Sequence, residues 1–379
     1  MPLPDSIIER YADDALFASL GGFVVGIADT HNLESALTPL FGGLPKAAFY
    51  GRTIFAAELG VELGRRRCLV LRNAAVRLLD RVDTLVVDAG ALLTDARTMA
   101  AVVPASGVAR EPVVHHAGML FSEDDWSSVH VHEDWSIGPP AALAPPDWRG
   151  PLRAAVDGWT GDSLLLAHRG EPVAVVHLRP ALRRGADALL AAIRQSRLHF
   201  VLACDDPALA RVLTAHERIA PALLADAIDG LQRHGRVVAV LSARDRVALA
   251  AADVGLGLAL DPTHPPWTAD ILLRDDLADA TFVVDACVVA RQVAEQSVVL
   301  AGVGAALGAA LALGGLKKTR PQQVMLATYA ASVVALANGL RRAVLWPAGR
   351  PRPPSIRPRG TGSPPTSCSP AWAPAATPA

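Results

Sequence analysis

From Val298 to Leu316 run 19 consecutive residues without a charged side chain, close to the roughly 20 that an α-helix needs to cross a bilayer's hydrocarbon core. Gly304 and Gly308 lie four apart within that run, the small-xxx-small spacing that lets two helix backbones approach closely. A second uncharged run, Val324 to Leu340, follows after Lys317, Lys318 and Arg320. The pair therefore reads as a transmembrane helical hairpin, and its natural partner is the lipid membrane. Arg341 and Arg342 lie beyond it, so flanking basic residues do not orient it by the positive-inside rule. Two weaker candidates precede it. Ala15 to Ala28 is too short to span alone, and Ala36 to Gly51 contains Gly42, Gly43 and Pro45, fitting a kinked membrane helix or a buried soluble one.

Composition agrees with such helices, because 51% of the 379 residues are hydrophobic. A formal net charge of -1 offers no basic footprint for nucleic acid. Cys68, Cys204, Cys287 and Cys368 occur singly, so neither a disulfide framework nor a zinc knuckle is indicated. No secretory leader opens the chain, and the folded part is expected to be cytoplasmic.

Between the early apolar segments and the hairpin, the pattern is that of an α/β domain. Arg52 to Asp80 reads as helical, and Asp83 to Asp88 as a buried strand. Residues 95 to 160 mix Pro and Trp without clear period and read as a small inserted subdomain or long loop. Beyond Ser163, strand-like runs (Leu164 to Leu166, Val173 to Leu178, His199 to Cys204, Val237 to Leu241) alternate with helical ones (Arg184 to Gln195, Pro207 to His216, Pro221 to Arg233, Arg244 to Ala252). This alternation predicts a parallel sheet with helices on both faces. The last 33 residues, from Pro347, hold ten prolines and are predicted to be a disordered tail.

Several segments, in order, resemble the core of P-type cation-transporting ATPases, within the haloacid dehalogenase-like superfamily. Pro4 to Asp13 (PDSIIERYAD) resembles the approach to the family's third membrane helix, and Gly43-Leu44-Pro45 lies where the fourth carries its proline. The stretch ending RNAAVRLLDRVDTLVVD at Asp88 resembles the stalk and first strand leading to the phosphorylated aspartate. Pro221 to Arg233, RVVAVL and ALAAADVGLGL (Ala248 to Leu258) resemble the hinge segment, and Leu272 to Ala294 the approach to the fifth and sixth membrane helices.

The resemblance implies a haloacid dehalogenase-like parallel sheet plus transmembrane α-helices. Its division is a degenerate third and fourth membrane-helix region (1–51), stalk and first strand (52–94), a reduced insert (95–160), the rest of the phosphorylation domain (161–290), the transmembrane hairpin (291–346) and the tail (347–379). It also implies an ATP-driven cation pump using Mg²⁺, with Asp88 as phosphoryl acceptor, Asp205 as the carboxylate of the TGD segment, and Asp88 with Asp245 as the metal positions. The departures are as specific as the matches. DKTGTLT is here Asp88-Ala89-Gly90-Ala91-Leu92-Leu93-Thr94, TGD is Ala203-Cys204-Asp205, and the phosphate-contacting Lys of PxxK falls on Leu224. GDGxND becomes Leu241-Ser242-Ala243-Arg244-Asp245, which lacks the first Asp and introduces a cation. The actuator's TGE loop and a KGAPE-like nucleotide loop have no match.

The expectation is a truncated, catalytically impaired pump relative at the cell membrane, in which ATP and Mg²⁺ are implied only by the resemblance and no transported ion is indicated. Two alternatives stand beside it, a dehalogenase-like phosphatase using Asp88 and a non-catalytic partner of an intact pump. Asp88, Asp205 and Asp245 are equally open to a plainer reading as solvated loop acids. His115, His116, His130 and His132 lie near one another in sequence, a loose spacing for a metal site.

Overall fold

Thr84 to Val87 bury four successive side chains, which a strand achieves only when both faces of its sheet are covered. The computed structural model describes residues 3–30, 45–145, 148–159, 161–314 and 320–348. In it, that strand lies near the middle of a seven-stranded sheet. The strands in chain order are β1 (Leu69–Val70), β2 (Thr84–Asp88), β3 (Leu93–Pro104), β4 (His130–His132), β5 (Trp135–Gly138), β6 (Ser163–His168), β7 (Glu171–Leu182), β8 (His199–Ala203), β9 (Glu217–Ile219), β10 (Val238–Ser242), β11 (Val254–Leu258) and β12 (Ile271–Leu273).

The main sheet has the order β1-β12-β11-β10-β2-β8-β9. All pairings in it are parallel except β1 with β12. Its two faces feed separate apolar clusters. Leu85, Val87, Phe200 and Leu241 lie on one side with helix Ala186–Ser196, and Val86, Val201 and Val240 on the other with helices Leu224–Arg233 and Arg246–Ala251. The expected α/β architecture with helices on both faces is present, and the parallel pairing from β12 through β9 puts the carboxyl ends of those strands on one edge.

Three expectations need correction. Leu164–Leu166 and Val173–Leu178 belong to β6 and β7, which join β3, β5 and β4 in a second, antiparallel sheet of order β3-β7-β6-β5-β4. Residues 95–160 are therefore not a self-contained loop, and the boundary placed at 160 falls inside this sheet, which runs from Leu93 to Leu182. An apolar run without alternation is compatible with either sheet type, and Leu164, Leu166 and Val176 are buried because the second sheet has its own core with Val113 and Ile137. The helical stretch from Arg52 to Asp80 is broken: helix Lys46–Arg65 ends before β1, and helix Asn73–Leu78 resumes after it. The helix placed over Pro207 to His216 stops at Val212, because Glu217–Ile219 extends the sheet.

The two long helices are Leu277–Gly314, with 38 residues, and Arg320–Ala348, with 29. Both are long and apolar enough to cross a membrane. The first is continuous with the α/β domain: Phe282, Val283, Ala286, Val289 and Val293 are buried in its core, whereas Val299, Val303 and Leu307 are exposed. A Cβ on Gly304 would lie 2.6 Å from that of Ala331 on the second helix, so the glycine spacing does permit close contact. Helix Lys46–Arg65 packs on both, and Asn338 donates from Nδ2 to Gln296 Oε1 at 2.8 Å across the pair. Ala15 to Ala28 lies within helix Ile7–Thr30, which exposes Leu16, Phe17, Val24 and Val25. Most of Ala36 to Gly51, Gly43-Leu44, the Lys317-Lys318 connection and the tail beyond Ala348 lie outside the described residues.

Candidate active site

In a parallel sheet the carboxyl ends of the strands share one edge, and ligands of open α/β folds bind there. Asp88 closes β2, Asp205 follows β8 by two residues, and Asp245 follows β10 by three. Asp88 and Ala203 are paired across the β2–β8 ladder, so the three acids gather at one edge as their order in the chain implies.

What their side chains do there is mostly local. Asp88 is half-buried; its Oδ1 accepts the Gly90 amide at 3.0 Å and its Oδ2 accepts the Ser242 hydroxyl at 2.8 Å. Ser242 is fully buried, and its Oγ also accepts the amides of Arg244 and Asp245 at 3.2 and 3.0 Å. One hydroxyl thus ties the end of β2 to the turn after β10. Asp245 caps helix Arg246–Ala251, with Oδ1 accepting the amides of Val247 and Ala248 at 3.0 and 2.9 Å, the usual work of an N-terminal Asp. Asp205 is exposed. Its backbone carbonyl and that of Cys204 accept from Arg218 at 3.3 and 3.1 Å. Among the described residues no hydrogen bond or ion pair joins the three carboxylates to one another.

One position read from motif spacing lies away from the edge, and one residue without a motif stands beside it. Leu224, aligned with a phosphate-contacting Lys, is 2% exposed and packs with Val86, Ile228 and Val240. Its side chain enters the core under the sheet, so this position does not address the edge. Arg183 had no role in the sequence reading, yet it stands beside the acceptor loop, donating from Nε to Ala91 O at 3.1 Å and from Nη2 to Leu93 O at 2.8 Å. Burial pulls its guanidinium below the ordinary value, with Arg244 acting the same way against Asp275 and Asp95. Ser242 and Arg183 are 154 and 95 residues from Asp88 in sequence; the parallel β2–β10 pairing brings Ser242 to it, and the antiparallel β3–β7 pairing brings Arg183 to the loop that follows it. The clue available beforehand was that Ser242 closes an unbroken apolar strand.

The donor set does not suit a resident Mg²⁺. The ion demands near-octahedral oxygen ligands, but an oxygen of each candidate carboxylate is already committed to backbone amides, and Arg244 adjoins Asp245. Among the described residues no group of three or more His, Cys, Asp or Glu is placed to hold a metal. The histidines follow suit. His116 stacks on Trp135 at 4.1 Å and bonds Pro112 O through Nδ1 at 2.7 Å, while His130 bonds Asp125 O through Nε2 at 2.7 Å.

A doubly covered parallel sheet with its acids on the carboxyl edge, joined through one continuous helix to membrane-length segments, is the architecture that the resemblance to the haloacid dehalogenase-like cores of membrane pumps implies. Comparison with known proteins agrees. No protein-family model matches the chain. It is 29% identical over 360 residues to the probable cation-transporting ATPase I of Mycobacterium tuberculosis (strain CDC 1551 / Oshkosh), covering 88% of this chain and 21% of that protein. The counterpart from Mycobacterium leprae (strain TN) is 29% identical over 361 residues, with the same shares of 88% and 21%. The chain thus spans about a fifth of the length of the curated relatives it matches. Among solved structures, a zinc-transporting PIB-type ATPase in its E2.Pi state superposes with a TM-score of 0.60 at 18% identity, over 90% of this chain and 65% of that one. The same kind of pump in the E2P state gives a TM-score of 0.60 at 18% identity, covering 90% and 64%. The chain is similar in sequence to cation-transporting ATPases over most of its length, and it shares the fold of the solved P-type pumps.

Proposed function

We propose that this chain is a non-transporting P-type ATPase-like protein, held in the cell membrane by its long helices with the α/β domain on the cytoplasmic side. The observation that carries the reading is the Asp88–Ser242–Asp245 arrangement, in which the acceptor-position carboxylate and the metal-position carboxylate are both engaged by the protein's own donors. Phosphoryl transfer depends on positioning and on fixed groups that neutralise charge as it develops. Here Ala89 stands where the family has Lys, the first Asp of the metal segment has no counterpart, and Leu224 faces the core. Each missing contact is worth on the order of 3 kcal/mol in the transition state. Loss of two would slow transfer by roughly 10⁴-fold, although such effects are not strictly additive. ATP and Mg²⁺ therefore belong to the family's chemistry more than to this chain's, and its role would be that of a scaffold or of a partner to an intact pump. A phosphatase reading keeps one supporting observation, the half-exposed Asp88 followed by a loop that Arg183 holds.

The test is incubation of the detergent-solubilised chain with γ-labelled ATP and Mg²⁺, followed by acid quench. The expected outcome is no stoichiometric, hydroxylamine-labile label. Label that appears in the native chain and vanishes in Asp88→Asn would make it a working phosphotransferase. Mg²⁺-dependent hydrolysis of an aryl phosphate, lost in the same variant, would favour the phosphatase.

A further inference from the structure

The opposite edge of the main sheet holds a cleft of about 450 Å³ lined by Arg81, Arg197, Arg236 and Arg291, with Asp83 as its acid. Arg81 precedes β2, Arg197 precedes β8 and Arg236 precedes β10, so parallel strands launch three arginines from one edge. Arg291 is supplied by helix Leu277–Gly314. We propose that this cleft binds the phosphate headgroup of an anionic phospholipid, a proposal that rests on the reading that the long helices enter a bilayer.

The donors there are largely uncommitted. Arg197 makes no side-chain hydrogen bond or ion pair among the described residues, and Arg236 comes no nearer than 3.9 Å to Asp83. Arg291 spends one nitrogen on Val82 O at 2.6 Å, and Arg81 is paired with Glu9. His216 accepts the Phe200 amide at Nδ1, 2.9 Å away. Its hydrogen is therefore on Nε2 when the ring is neutral, which adds a donor. His199 stacks against it at 5.3 Å and has Glu217 3.5 Å away. Four guanidinium groups against one lining carboxylate suit a phosphate monoanion or dianion, because the planar fork matches phosphate oxygens two at a time. Arg197 also sits at φ +57° as the C-cap of helix Ala186–Ser196, a left-handed position where glycine is the easier residue.

Depth favours a lipid over a free anion. The long helix's contribution to the α/β domain's core ends at Val293, and its apolar run begins at Val298. Arg291 lies seven residues before that point, about 10 Å along the axis at the α-helical rise. The headgroup layer of one leaflet is roughly 5–8 Å thick, and arginine reaches outward along its own stem to meet it. A basic pocket at this level is where anionic headgroups are recognised.

The experiment uses the full chain in mixed micelles containing phosphatidylcholine and phosphatidylglycerol, with retained lipid read by native mass spectrometry. The wild type is expected to retain phosphatidylglycerol preferentially. Arg197→Gly with Arg236→Ala should weaken that retention by about tenfold or more, given the size of surface arginine–lipid attraction, while the melting transition stays put because glycine suits the left-handed cap. A second variant, Arg197→Lys with Arg236→Lys, should keep most of the preference. Equal retention of both lipids by the wild type, or an unchanged preference in the glycine–alanine variant, would overturn the proposal. So would displacement of bound phosphatidylglycerol by millimolar inorganic phosphate, which would make the cleft a free-phosphate site. Recovery of the full chain in the soluble fraction without detergent would instead remove the membrane reading on which it rests.

Discussion

At the carboxyl edge of the seven-stranded sheet, Asp88, Ser242 and Asp245 satisfy one another's turns through backbone amides and a single hydroxyl. At the amino edge of the same strands, four arginines surround one cleft and two of them have no close partner. The edge that carries the family's motifs is closed upon itself, while the edge that carries none presents open charge. Strand order and turn geometry can persist when the groups they once aimed are gone, because the backbone is held by the apolar core and not by the site.

The largest effect that bears on this contrast is expected where the amino edge is fixed to the helices. A Cβ at Gly339 would stand 2.5 Å from the Gly51 carbonyl oxygen and 2.7 Å from Ile54, and a backbone atom cannot rotate aside. Gly339→Leu should cost about 3 kcal/mol through overpacking, seen as a lower midpoint in denaturant, and should weaken lipid retention by displacing Arg291. An unshifted midpoint would mean that the helices do not hold the edge in register.

Asp80 gives the next effect, opposite in sign. Burial raises its carboxyl from the ordinary 3.8 to about 6, against the pull of Arg52 and Arg81 and with Glu9 pushing the same way as burial. Arg52 is 3.7 Å away and neither oxygen of Asp80 has a hydrogen-bond partner among the described residues. A carboxyl whose pKa is higher in the folded chain stabilises it most below 3.8, and that contribution is lost as pH rises towards 6. Asp80→Asn should therefore raise stability at neutral pH by on the order of 2 kcal/mol and flatten its dependence on pH between about 4 and 6. Matched melts of both proteins across that window check the claim; a less stable variant at pH 7 would show that the Arg52 pair outweighs desolvation.

Much of this scaffold was legible beforehand. β2 announces itself by four buried residues in a row, and the helices by uncharged length. The second sheet was not, because Leu93–Pro104 is only partly buried along its whole length and shows no period of two. The runs at Leu164 and Val173 are apolar without alternation and fit either sheet. At the site, the motif positions of Asp88, Asp205 and Asp245 could be read by spacing, but their hydrogen bonds could not. Ser242, Arg183 and the arginines of the amino edge acquire meaning only from strand pairings that bring distant segments together.

A smaller effect should follow at the carboxyl edge. Asp245→Ala removes a helix cap and should cost about 1 kcal/mol, whereas Asp245→Asn keeps a side-chain acceptor and should cost a few tenths. Thermal melts with and without Mg²⁺ separate capping from metal binding. A Mg²⁺-dependent stabilisation of the native chain that both variants lose would return Asp245 to the metal role.

The smallest effect is expected at Asp88 itself. Asp88→Asn keeps an oxygen able to accept from the fully buried Ser242 hydroxyl, and the amide of exposed Gly90 can turn to water instead. The stability change should stay within about 0.5 kcal/mol, the range of a substitution without a buried unsatisfied group. Acid-quenched labelling from ATP should be the same in both proteins and close to background. In a working pump this one exchange removes the nucleophile and abolishes turnover. Near-identity of native and variant chains in both melting and labelling is therefore the sharpest statement of the difference between the edges, and a labelled native chain beside a silent Asp88→Asn would reverse it.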